Sequence, residues 1–440
     1  MHEVLTVLLA GGAGERLGPL TREHCKPAIP FGGIYRLVDI PLSNCINSGL
    51  YRICVLTQHK ALSLNRHIRQ AWHFLPPELG AFVETLPPMR RNRDTWYLGT
   101  ADAVYQNMAT IIDEAAPYTL ILAADHVYKM DYREMVAQHV RLNADVTLAT
   151  IHIDPREANR FGIVTTNDQQ QVIAFAEKPP AGQAPRSRVD PTRCMASLGI
   201  YLFSTPILLA ALVEDAADLH SGHDFGHDVL PRLLGTCSVR AYDLSAQPGA
   251  AVGYWRDVGT LDAYFDANMD LLGRRPRFTL HDVDWPLRAA MPALPPARFA
   301  FADDGEPGTA VDSLVSSGCV VEGGRVTHCV LSPSVNVKSH SLVEESVVLS
   351  HVSIGHKCHL RRCIVAEHLT IPDGFVAGVR LADDQRAGHY ITDGGVVVLH
   401  AESPGLGRLT SSAPGHTARV PLPVTLREPA LARVATTSDR

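Results

Sequence analysis

Apolar residues in this chain follow two patterns, one on each side of a proline-rich stretch at residues 276–310. On the N-terminal side, up to about residue 150, short apolar runs alternate with stretches of helical spacing. Leu5–Leu9, Arg52–Leu56, Thr119–Ala123 and Asp145–Thr150 are too short for helices and read as buried strands. Leu42–Ser48, Ala61–Phe74 and Ala101–Asp113 carry helical spacing between them. This alternation predicts an α/β fold built on a mostly parallel, doubly wound sheet. Residues 151–275 extend the sheet with antiparallel strands. Gly162–Thr166 and Val172–Ala176 flank the polar turn Asn167–Gln171 and predict a hairpin; Ser197–Phe203 is a further strand. His223–Asp228 reads as a helix start, because acidic residues suit the positive N-terminal end of a helix.

Beyond Leu314 the pattern changes to columns of aliphatics at a fixed offset of seventeen residues. One column is Leu314, Leu331, Val348 and Val365; a second is Val320, Val337, Ile354 and Ile371; a third is Val326, Val343, Leu360 and Ala377. Within a coil the columns stand six residues apart, and a hexad repeat of aliphatics marks a β-helix with three flat faces. Each coil buries its aliphatics only by stacking on the next. A sandwich of short strands is the competing architecture. The expected organisation is an α/β domain at 1–275, a linker at 276–310, a β-helix domain at 311–400 and a disordered tail at 401–440. In that tail the periodicity stops and Pro, Ser, Thr, Ala and Arg dominate.

Hydrophobic content of 46% and charged content of 20% suit a globular chain with a large core. The net charge of −6 argues against nucleic acid as a partner. No apolar run reaches membrane-spanning length, so no membrane partner is expected. The nine cysteines form no Cys-x-x-Cys pair, and the N-terminus lacks a basic region and a cleavage site, which together predict a cytoplasmic protein with reduced thiols.

Candidate chemistry begins where the first strand ends. Gly11, Gly12 and Gly14 follow the run Leu5–Leu9, with Arg16 and Lys26 downstream. Backbone N–H groups in such a loop can cradle phosphates, and two cations beside it suggest a polyphosphate ligand. The loop matches neither a Walker sequence, which needs Gly-Lys-Ser/Thr, nor the dinucleotide fingerprint, whose third glycine would fall at Leu17. Asp125 emerges from the strand TLILAA, where an open α/β sheet binds ligands, and a carboxylate there suits a divalent ion or a turn cap. Asp257 follows Trp255-Arg256; it could complete that metal site, pair with Arg256 or cap a helix. Lys178, between Glu177 and Pro179, ends the hairpin as a phosphate ligand or a solvated edge charge.

Several segments in order resemble the ADP-glucose pyrophosphorylases (glucose-1-phosphate adenylyltransferases) of bacteria. They include LAGGAGERL at Leu9–Leu17, KPAIPFGG at Lys26–Gly33, YRLVDIPLSNCINSG at Tyr35–Gly49 and WYLGTADAV at Trp96–Val104. ADHVYKMD at Ala124–Asp131, AEKP at Ala176–Pro179, HDFGHD at His223–Asp228 and YWRDVGT at Tyr254–Thr260 follow. The resemblance spans about residues 1–400. It implies a Rossmann-like nucleotidyltransferase domain followed by a left-handed parallel β-helix, usually assembled as a homotetramer under allosteric metabolite control. It implies that ATP and glucose 1-phosphate give ADP-glucose and pyrophosphate with Mg2+. By the same resemblance Arg16, Lys26 and Asp125 are catalytic, and Asp125 and Asp257 hold the metal. Gly11, Gly12, Gly14, Arg16 and Gln58 bind the nucleotide. Tyr97, Gly162, Glu177, Lys178 and Ser197 bind glucose 1-phosphate, and Arg36 belongs to a regulatory site.

The chain departs from the family pattern at Ala13, which stands where an arginine often lies, and at Ala124, where many members have glycine. Glu23 and Pro30 occupy positions of an activator-binding lysine and a histidine in enterobacterial-type members. A glutamate there argues against an anionic activator, so different effectors or weak regulation are expected. A dTDP- or GDP-sugar pyrophosphorylase, a β-helix acyltransferase and a noncatalytic regulatory subunit are the rival readings. Retention of Arg16, Lys26, Asp125, Lys178 and Asp257 counts against the last.

Overall fold

The strand Val4–Ala10 is buried along its length because both of its faces are covered. Val4 and Leu8 enter one core cluster while Leu5 and Val7 enter another, on the opposite side of the sheet. A strand with two buried faces reads as a continuous apolar run. The computed structural model describes residues 3–88, 96–246, 253–290 and 293–408. In it, Val4–Ala10 pairs in parallel with Arg52–Thr57 on one side and Tyr118–Ala123 on the other. Phe82–Leu86 adds a fourth parallel strand.

The nine-stranded sheet is mixed, as the antiparallel strands after residue 151 require. Cys194–Ser204 lies antiparallel to Tyr118–Ala123, Val146–Ile153 and Gly162–Thr166. It changes register between Ser197 and Tyr201, and an irregularity of this kind re-aims side chains beside a cavity. Gly162–Thr166 and Val172–Glu177 form the expected hairpin.

Helix boundaries differ from the sequence reading for identifiable reasons. The first α-helix spans Asp39–Asn47, starting earlier because the Asp39 carboxylate accepts from the Arg36 backbone N–H at 2.8 Å. The second ends at Ala71, where Trp72 turns inward and donates from Nε1 to Asp39 at 2.8 Å. The stretch Ala101–Asp113 is two helices, Thr100–Gln106 and Met108–Glu114. They break at Asn107, whose Nδ2 donates back to the Ala103 carbonyl at 2.9 Å.

The C-terminal part is a parallel β-helix with three sheets. Its register corrects two of the aliphatic columns. Leu331, Val348 and Val365 align with Val315, not Leu314, and Val337, Ile354 and Ile371 align with Val321, not Val320. Val326, Val343, Leu360 and Ala377 align as read. The cause is a corner one residue short, at Gly323–Gly324. A Cβ on Gly324 would come within 2.8 Å of Val337 Cγ1, so only glycine lets the chain cut inside there.

The stack also begins inside the stretch expected as linker, since Arg298–Ala300 pairs with Val320–Glu322. Upstream of it, Phe278 is buried and Trp285 Nε1 donates to Asn44 at 2.8 Å, so this segment is a strap packed on the first α-helix. Between Ala377 and Val397 one corner carries an insertion with the helix Leu381–Ala387 and the short strand Tyr390–Ile391. The stack resumes past it, with Val365 beside Leu399. Residues 401–408 of the expected tail end in a strand, Gly407–Arg408, against Leu369–Thr370. The rest of that tail, 409–440, lies outside the described residues.

One face of the β-helix is apolar on both sides. Leu331, Val348, Val365 and Leu399 point into the coil, while their neighbours Val330, Val347, Ile364 and Val398 join the core cluster of the α/β part. Strand alternation thus builds a single core through the junction.

Candidate active site

A cavity of about 490 Å³ opens at the carboxyl ends of the central strands, within the range of small-molecule sites. Eight of the residues singled out from the sequence line it: Arg16, Lys26, Asp125, Gly162, Glu177, Lys178, Ser197 and Asp257. They come from seven segments, so only the folded sheet brings them together. Arg16 lies on the 3₁₀ turn that follows the glycine loop. Lys26 begins a short turn at Cys25-Lys26-Pro27. Asp125 sits between Tyr118–Ala123 and His126–Tyr128, and Asp257 ends a strand paired with the latter.

The electrostatic centre is Lys26. Its Nζ lies 2.7 Å from Asp125 Oδ2 and 3.4 Å from Asp257 Oδ1. Burial pulls the lysine pKa down, but Asp125 and Asp257 raise it further, so the ammonium persists. Burial likewise pushes Asp125 up, and Lys26 and His126 overcome it, leaving the carboxyl at about 2. Arg256 pairs with Asp270 at 2.5 Å, which leaves Asp257 turned toward Lys26.

The chain reading missed the role of the neighbour of Asp125. His126 Nε2 stands 3.5 Å from Asp125 and 3.9 Å from Asp257, and ligating atoms of all three residues fall within 4.8 Å of one another. Its other ring nitrogen is buried with no partner among the described residues, and Trp255 covers the ring edge-on at 5.0 Å. Two carboxylates converging on one ammonium, with an imidazole beside them, fit a divalent cation site. Only the adjacency of His126 to Asp125 hinted at this.

The far end of the cavity is built around Glu177. A Cβ at Gly162 would lie 2.8 Å from Glu177 Oε2, and one at Gly226 2.9 Å from the same oxygen. Both glycines therefore make room for this carboxylate. Lys178 holds a left-handed backbone (φ 43°), and its Nζ donates to Glu177 at 2.6 Å. Asp224 caps the turn Phe225–Val229, as the sequence suggested, accepting from the backbone N–H of Gly226 and His227. It also lines the cavity, as do Trp255 and Arg160, which sequence reasoning did not place there.

Six other expected residues stand outside this lining. Gly11 packs against Gln58, whose Oε1 would be 3.1 Å from a Cβ at Gly11, while Gly12 is open on its outer side. Gly14 is left-handed (φ 69°) and rests on the stem of Lys26. Tyr97 is half-buried, its hydroxyl accepting from Asn107 at 3.0 Å. Arg36 lies in a second cavity, of about 400 Å³, with Tyr35, His351 and Glu367. There its guanidinium donates to the Ala28 carbonyl.

Residues 5–274 match the nucleotidyl transferase family, and residues 295–399 match the GlmU-like C-terminal hexapeptide family. A glucose-1-phosphate adenylyltransferase of Koribacter versatilis is 52% identical over 91% of this chain and 95% of its own length. The enzyme of that name from Nitrosococcus oceani is 46% identical over 92% of this chain and 95% of its own. The chain belongs to the glucose-1-phosphate adenylyltransferase family. A Rhodopirellula baltica protein of the same name is 43% identical over 91% of this chain and 90% of its own. The similarity thus runs through both the α/β part and the β-helix, and it makes the chain a nucleotidyltransferase acting on small molecules. Among the described residues no helix is long and apolar enough to cross a membrane.

Proposed function

We infer that this chain is an adenylyltransferase that joins ATP and glucose 1-phosphate into ADP-glucose, releasing pyrophosphate and supplying a glucosyl donor for glycogen-type α-glucan. The observation that carries the reading is the single cavity in which Lys26 meets Asp125 and Asp257 while Lys178 meets Glu177. One phosphate-binding cation stands at each end, as two anionic substrates require. A phosphate oxygen of glucose 1-phosphate attacks the α-phosphorus in line, and the bond from that phosphorus to the bridging oxygen of pyrophosphate breaks.

The protein's own task is to hold two anions against their repulsion. Backbone N–H groups of Gly11–Gly14 and the Arg16 guanidinium hold the triphosphate, with Gln58 against the adenine. Lys26 stabilises negative charge at the reacting phosphate. Lys178 swings from Glu177 to the sugar phosphate, and Glu177, freed of it, accepts from sugar hydroxyls alongside Tyr97, Gly162 and Ser197. Asp125 and Asp257, with His126 beside them, would hold Mg2+. When bound, that ion neutralises charge on the triphosphate and on the leaving pyrophosphate.

The reading extends to a cytoplasmic homotetramer whose metabolite effectors act near Arg36, at the cavity shared with Glu367 of the β-helix. Pyrophosphate release is the test, measured from glucose 1-phosphate with ATP, UTP, dTTP and GTP in turn, with and without Mg2+. Release confined to ATP and dependent on Mg2+ is expected. Preference for another nucleotide overturns the substrate assignment, and absence of release with all four overturns the catalytic one.

A further inference from the structure

The short segment that delivers Lys26 to the carboxylates is fastened from two sides. From the α/β part, Lys60 Nζ donates to the Thr21 carbonyl at 2.6 Å, and Thr21 Oγ1 donates toward the Gly14 and Gly18 carbonyls, 3.1 Å from each. From the β-helix, His24 Nε2 meets Glu367 Oε2 at 3.0 Å, and Arg22 Nη1 meets Glu402 Oε1 at 2.5 Å. Only the buried Cys25 separates His24 from Lys26.

The two β-helix contacts are not equivalent. Arg22 and Glu402 are 45% and 70% exposed, where solvent screens an ion pair, whereas His24 and Glu367 are 21% and 20% exposed. The other ring nitrogen of His24, Nδ1, is buried with no partner among the described residues. An N–H there would go unsatisfied, so the ring proton belongs on Nε2, aimed at Glu367. Glu367 in turn stays ionised: burial raises it, but His24, Arg36 and His368 more than offset that. His24 thus has one fixed anchor, and that anchor lies 343 residues away in the sequence.

We propose that Glu367, acting through His24, is a positioning residue for Lys26, so that the β-helix sets the placement of the ammonium between Asp125 and Asp257. This rests on the catalytic role given to Lys26 above. Misplacement of a reacting group by about 1 Å costs up to about a hundredfold in rate. Losing one of several anchors on this segment should cost roughly tenfold.

The test uses the full chain with Glu367→Gln, His24→Ala, the double variant, His24→Arg and Arg22→Ala. Expected are a kcat lowered roughly tenfold in each of the first two, KM values within about twofold of the parent, and a double variant no worse than either single. His24→Arg, which can still donate to Glu367, should recover most of the loss, and Arg22→Ala should stay within about twofold. Amide exchange of residues 21–28 should quicken in Glu367→Gln while the coils keep their protection. Unchanged kcat, additive losses or exchange quickened throughout the chain would overturn the proposal. If the parent chain shows no adenylyl transfer, the functional reading fails on its own, and unchanged exchange at 21–28 still overturns the anchoring.

Discussion

The stacked strands of the β-helix meet their counterparts one coil away, whereas the groups of the charged cavity come from separate segments spread over the α/β part. Lys26 and Asp125 are 99 residues apart, and Lys26 and Asp257 231 apart. Val348 and Val365, by contrast, are neighbours in sheet and in sequence pattern alike. The repeat region spreads its stability over many equivalent contacts, while the cavity concentrates its chemistry in a few that cannot substitute for one another. Damage should therefore be graded in the first and abrupt in the second.

The largest expected effect lies in the cavity. Asp125→Asn should lower kcat by roughly a thousandfold, about 4 kcal/mol of transition-state stabilisation, with the fold retained by circular dichroism. A loss below tenfold in steady-state kinetics would show that the cavity tolerates damage as a repeat does.

Next comes the shared face of the β-helix. Ile364→Ala should destabilise by about 2–4 kcal/mol in a denaturant titration, since its side chain sits fully buried in the core of the α/β part. Because that core is continuous, one unfolding transition should shift as a whole. A second transition appearing for the β-helix alone would break the claim of a common core.

Acid should reveal a buried group in the α/β part. Burial lowers the His139 pKa to about 4, with Asp145 partly opposing it, and Nδ1 meets Thr147 Oγ1 at 2.8 Å. A histidine more acidic in the folded chain than in the unfolded one stabilises fully above the unfolded value, about 6.5. That contribution, on the order of 3 kcal/mol, is lost as pH falls from about 6.5 to 4. His139→Gln should flatten the stability profile across this window, and a profile as steep as the parent's would remove His139 as its source.

A smaller effect belongs to the sugar-phosphate end. Lys178→Ala should raise KM for glucose 1-phosphate roughly tenfold and that for ATP no more than about twofold. Equal shifts in both would place Lys178 elsewhere in the reaction. The smallest is expected in the coils' surface. His328 and Asp312 pair between adjacent coils at 2.8 Å, both partly exposed, so Asp312→Asn should cost under about 1 kcal/mol in the same titration.

Periodicity decided how much of this was legible in the chain. The aliphatic columns and the apolar strands announce themselves because burial repeats at a fixed spacing. Asp125 was readable because it directly follows a buried run. Arg298–Ala300 carried no such signal, since three residues with an exposed phenylalanine do not look like the first rung of a stack. The one-residue shift at Gly323–Gly324 hid for a related reason: just before it, Leu314 and Val320 are as aliphatic as the Val315 and Val321 that take their places. The convergence of Lys26, Asp125, His126 and Asp257 is a property of the folded sheet, and no spacing along the sequence encodes it.

The insertion between Ala377 and Val397 bears on how such a chain can be rebuilt. A helix and a short hairpin interrupt the stack at a corner, yet the rungs on either side still pair. A corner is thus a splice point: foreign sequence can leave and re-enter there while inward and outward side chains keep their sides. An added residue inside a rung would swap them. Reporter peptides or affinity handles grafted at this corner belong beside the helix Leu381–Ala387, because Thr392 and Gly394 further along the insertion bind Asp262 of the α/β part.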